Sequence, residues 1–131
     1  MANPNIVAVS NILGGNLGWN LSATATTTLM TVAAEKIVKI NRITVANVDG
    51  AAAADVSLFV DGLTTAGADG ITPTGASATV YLAKTISVPA DATLVISDTP
   101  IYLMEGDILK GGASAASDLD LFISYEVLDD A

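Results

Sequence analysis

The segment Leu119-Asp120-Leu121-Phe122-Ile123-Ser124-Tyr125-Glu126-Val127 decides the fold. Leu119, Leu121, Ile123, Tyr125 and Val127 point one way, while Asp118, Asp120, Ser124 and Glu126 point the other. Strict period two with charges on one side predicts an antiparallel strand with one buried face. Working backwards, Ile108-Leu109-Lys110 reads as a brief strand ending at Gly111-Gly112. Ile101-Tyr102-Leu103-Met104 reads as another, set off by turns at Asp98-Thr99-Pro100 and Glu105-Gly106-Asp107. Thr93-Leu94-Val95-Ile96-Ser97 precedes them, after a corner at Val88-Pro89, because proline cannot donate to a ladder. Residues 79–86 form a strand whose two faces both carry apolar groups, as expected between packed layers.

Towards the N-terminus, Val56, Leu58 and Val60 alternate in a strand closed by Asp61-Gly62. Residues 62–78 have turn composition throughout and predict a long loop. The run from Ile37 to Val48 has helical as well as strand spacing, and its density of β-branched residues favours a strand. A switch of apolar phase from Val38/Ile40 to Ile43/Val45 predicts a bulge near Asn41-Arg42. Thr24 to Val32 is β-branched and fits a pleated surface. Residues 1–22, rich in Asn and Gly, predict no long regular element and read as an extended N-terminal arm. The alternative is that they pack on their own domain as a first strand and an irregular loop. The expectation is an all-β chain: an antiparallel β-sandwich or jelly roll of seven to eight short strands over 23–131, with the arm at 1–22.

Composition narrows the chemistry. The 131 residues contain no cysteine and no histidine, which removes thiol nucleophiles, imidazole-based catalysis and thiolate or HExxH metal sites. Fourteen acidic against five basic residues give a formal charge of −9, so nucleic acid and anionic membrane surfaces are poor partners. The hydrophobic share is 51%, yet no apolar run is long enough to span a bilayer, and the start lacks a basic region leading into an apolar stretch. These features predict a non-enzymatic protein without catalytic residues, cofactor or metal.

Three constellations have two readings each. Asp49-Gly50, Asp61-Gly62 and Asp69-Gly70, with Asp55, have oxygen ligands for a weakly held calcium ion, but Asp-Gly is also a preferred hairpin turn. Glu105, Asp107, Asp118 and Asp120 are dense enough for paired-carboxylate chemistry, but their places in a turn and on a polar strand face predict solvent exposure. Lys36, Lys39 and Arg42 hold most of the positive charge, for a neighbouring subunit or for carboxylates of the same domain. Trp19 is either an interface anchor or a core residue. Ile6, Val7, Trp19, Lys36, Lys39 and Arg42 are the candidate partner contacts.

The stretches Lys39 to Gly50, Ala54-Asp55-Val56, Tyr81 to Leu94, Pro100 to Leu103, Glu105-Gly106-Asp107 and Ser124-Tyr125-Glu126 resemble small virion structural proteins of tailed bacteriophages, especially those of marine and cyanobacterial hosts. The chain departs from that pattern by its Gly/Thr-rich loop at 62–78. The resemblance implies a decoration or cement subunit on the capsid surface of the virion, with the major capsid protein as partner and a homo-oligomeric state of dimer or trimer. It carries over no catalytic residue. A tail, neck or baseplate component and a carbohydrate-binding module are the competing expectations.

Overall fold

The computed structural model describes residues 10–63 and 74–129, which hold nine strands. They are β1 (Asn11–Asn20), β2 (Thr28–Thr31), β3 (Lys36–Asn47), β4 (Ala54–Asp61), β5 (Val80–Val88), β6 (Thr93–Ser97), β7 (Ile101–Leu103), β8 (Ile108–Ala113) and β9 (Leu119–Asp129). One sheet has the order β1-β9-β3-β6, with β7 also on β3, and the other has the order β2-β8-β4-β5. Every pairing is antiparallel.

The pairings nest: β4 with β5, β3 with β6 and β7, β2 with β8, β1 with β9. The chain is thus one long hairpin whose arms alternate between two sheets. Rolled so that β9 also pairs β3 and β8 also pairs β4, this hairpin is a jelly roll. No helix among the described residues is long and apolar enough to cross a membrane.

The core forms where the apolar phases of the two sheets meet. Ile40, Ile43, Val45, Leu119, Leu121 and Ile123 from one sheet face Val56, Leu58 and Leu109 from the other, all essentially without solvent contact. Burial of each such side chain stabilises the fold by roughly 1.5–3 kcal/mol. The change of phase in β3 is a bulge, with the β3–β9 register shifting between Ile40 and Arg42 as the sequence predicts.

Four expectations change. Asn11–Asn20 is a ten-residue strand packed on its own domain, as in the alternative to an extended arm, because its backbone completes a ladder on β9 along the whole segment; residues 1–9 lie outside the described residues. Only Thr28–Thr31 of the threonine-rich stretch is strand. Upstream, Thr27 bonds back to the Thr24 carbonyl through both its N–H (3.2 Å) and its hydroxyl (2.8 Å), a local bond that competes with the ladder. Gly111 and Gly112 do not end β8, which runs to Ala113. A Cβ on Gly111 would lie 2.5 Å from the Ser57 carbonyl oxygen of the paired strand β4, and one on Gly112 would lie 2.6 Å from the Thr24 carbonyl oxygen, so both glycines make room for backbone that a side chain would meet. Finally, β5 is an edge strand with Val80, Tyr81 and Ile86 exposed. Two register shifts interrupt its pairing with β4, near Thr85 at φ 47°.

Candidate interaction surface

Among the described residues the buried polar side chains are Asn47 and Asp107, and each has a structural task. Asn47 at the end of β3 donates from Nδ2 to the carbonyls of Ala52 (3.0 Å) and Val88 (2.9 Å), while its Oδ1 accepts from the Asp49 N–H (2.9 Å). It ties the β3–β4 connection to the end of β5. Asp107 is only 4% exposed, which corrects the expectation of a solvated turn carboxylate. The turn folds back on the end of β2: the Gly106 N–H donates to the Val32 carbonyl and the Val32 N–H to the Asp107 carbonyl, both at 3.0 Å. The Asp107 carboxylate accepts the Met104 N–H at 2.9 Å. Burial pushes its pKa up, and the Met104 bond opposes that shift.

The Asp-Gly pairs behave as turns. Asp49 Oδ1 accepts the Ala51 N–H (2.9 Å), and Gly62 takes φ 72°. Asp61 is bound by Lys110 Nζ (2.8 Å), the Thr79 hydroxyl (2.7 Å) and the Gly62 N–H (2.9 Å). The Lys110 bond, with the other two, lowers its pKa to about 2. Asp69 lies outside the described residues. Among the described residues there is no group of three or more carboxylates placed to hold a metal ion.

The predicted contact residues separate. Ile6 and Val7 lie outside the described residues. Lys36 pairs within the chain, its Nζ 2.6 Å from Asp129 Oδ2. Lys39 lies opposite Glu126 and Tyr102, and Arg42 is exposed opposite Ser124, both on the outer face of the β1 sheet. Trp19 is half-buried and packs against the core. The exposed aromatics are also dispersed: Tyr81 belongs to the β2 sheet, whereas Tyr102 and Phe122 lie on the β1 sheet.

What the fold does concentrate is the edge at β1, which among the described residues pairs only with β9. Leu13 and Leu17 lie opposite Val127 and Ile123 on the face turned toward the other sheet, yet they are 56% and 38% exposed. The cause is the shortness of β2, the four-residue edge of the facing sheet. Between these two edges opens a cleft of about 180 Å³ lined by Leu17, Met30, Val32, Tyr125, Val127 and the stem of Lys36. Ile12, on the opposite face of β1, is 61% exposed.

This edge also lacks charge. Residues 1–34 contain no Asp, Glu, Lys or Arg, so the whole −9 is carried by residues 35–131. That unbroken neutral run was the readable signal for the surface, and it is obscured when the segment is read only for its turn-forming Asn and Gly.

No family model and no curated protein matches the chain. Among solved structures it is similar to a chain described under "Bacillus endospore appendages form a novel family of disulfide-linked pili", at 14% identity and a TM-score of 0.45, over 92% of this chain and 88% of that one. A likeness of this degree transfers neither function nor mode of assembly, and the present chain has no cysteine.

Proposed function

We propose that the chain is a non-enzymatic structural subunit of a tailed-phage virion, a decoration or cement protein that binds the outer surface of the major capsid protein shell and stabilises it. The observation that carries the reading is the β1 edge: a long, uncharged strand bearing exposed Ile12, Leu13 and Leu17, paired among the described residues on one side only, in a chain whose charge lies elsewhere. An exposed edge of this kind is a template for strand pairing, so it suits assembly. Jelly rolls build viral capsid and lectin domains alike, so topology does not choose between them. The residues favour the shell, because the exposed aromatics form no common platform for a sugar ring. The phage context comes from the sequence resemblance.

On this reading the acidic outer residues Asp120 and Glu126 remain toward solvent, and their charge keeps crowded copies mutually repelling. Add-back to particles assembled without the chain tests it. The chain should co-sediment with the shells and raise their rupture temperature, and Leu13→Lys should abolish both effects. Shells that bind none of the protein contradict the proposal.

A further inference from the structure

The four sheet edges are not equally protected. On one sheet β2 has only four residues and a register shift, while β5 carries two shifts, a residue at positive φ and Lys84. On the other, the edge opposite β1 is divided between β6 and β7, with Pro100 in the turn between them. Short, bulged, charged or interrupted edges resist pairing with other chains. β1 has none of these devices. It runs ten residues in unbroken register with β9, and it contains neither proline nor charge. Every second residue of such an edge presents its N–H and C=O outward.

We propose that β1 pairs antiparallel with β1 of a second copy of this chain, across a two-fold axis normal to the sheet, so that the two β9-β1 ladders become one continuous sheet. This rests on the reading of β1 as an assembly edge and specifies its occupant. Charge selects the occupant. Two copies each carrying −9 repel at most approaches, and the neutral run containing β1 and β2 is the side on which identical molecules meet without opposing like charges.

Symmetry restricts the register. The core-side faces of the two sheets join only when residues of equal parity lie opposite each other. With Gly15 on the axis, Leu13 meets Leu17 of the second copy twice over, and the two leucines that β2 fails to cover then cover one another. Gly14 lies opposite Asn16 of the second copy on the other face. Such pairing is isologous and closes at two copies.

Sedimentation equilibrium of the full chain, with thermal melts to confirm folding, provides the test. The native protein should be a dimer, Leu13→Lys/Leu17→Lys should weaken it at least tenfold, and Phe122→Lys on the outer face should leave it intact. Gly14→Cys mixed with Asn16→Cys should give the mixed disulfide in this cysteine-free chain. A monomeric native protein, or a dimer that survives the leucine pair, overturns the proposal. So does a protein that is monomeric yet loses shell binding on Leu13→Lys, a result that would leave the assembly reading standing and assign the edge to a different partner. Asn16→Cys linking efficiently to itself overturns the register.

Discussion

The Tyr125 ring lies across Gly15: a Cβ built on Gly15 would stand 2.7 Å from Tyr125 Cζ and 2.8 Å from its hydroxyl oxygen. The two residues are register partners on β1 and β9, and an aromatic ring laid over a strand glycine replaces the contacts that a side chain there would have made. The adjacent Gly14 has nothing within 4 Å of its Cβ position.

Two neighbouring glycines should therefore answer oppositely to one methyl group. Gly15→Ala must displace the ring and should cost about 1 kcal/mol. Gly14→Ala should stabilise by up to about 0.5 kcal/mol, since alanine loses less chain entropy on folding. Urea denaturation of both variants checks this, and shifts of the same sign would contradict the packing described.

At β8 the obstruction is backbone, which cannot swing aside as a tyrosine ring can. Gly111→Ala and Gly112→Ala, facing the carbonyl oxygens of Ser57 and Thr24, should each cost about 2–3 kcal/mol. Thermal melts in which either variant matches the native protein would show that these segments pass less closely.

Asn47 offers a test of the polar tie between the sheets. Asn47→Ala leaves two carbonyls and one N–H without their side-chain partner and should cost about 2–4 kcal/mol, given about 1 kcal/mol per bond and more where the orphaned group is buried. Amide exchange should quicken at Asp49, whose N–H that side chain accepts. Unchanged stability would rule out the tie.

The two shifted carboxyls predict opposite pH responses. Asp61 titrates near 2 when folded, below its ordinary 3.8, so its contribution is present above pH 4 and fades as pH falls toward 2. The stability difference between native protein and Asp61→Asn should shrink over that window. Asp107 has a raised folded pKa, so its contribution is greatest below 3.8 and is lost as pH rises through the folded value. Relative to Asp107→Asn, the native protein should gain stability as pH falls through the carboxylate range. Chemical denaturation of the three proteins between pH 2 and 7 resolves both slopes, and parallel slopes would contradict the assignment.

The parts of the fold legible in the sequence are those where side-chain period and burial agree. β9 alternates in burial from Leu119 to Ile123, where Leu119, Leu121 and Ile123 are buried while Asp120 and Phe122 are exposed. The β3 bulge is readable from its apolar phase, and β6 coincides with the stretch Thr93 to Ser97. β1 is not readable in this way, since Asn and Gly dominate it and its strand conformation is imposed by the ladder on β9. Asp107 misleads for a related reason. A carboxylate between turn residues looks solvated until the turn is seen to fold onto Val32. The candidate surface escapes a search for motifs because what marks it is the lack of charge and of edge protection.

A jelly roll proposed to assemble on a virion shell has a definite place and copy number in the particle. Quantitative mass spectrometry of purified particles, combined with an image reconstruction that locates the chain, tests it most directly. Copies in the hundreds are expected on the outer surface of the shell, in two-fold pairs joined through β1. A handful of copies at the tail or neck, or none in the particle, would contradict it.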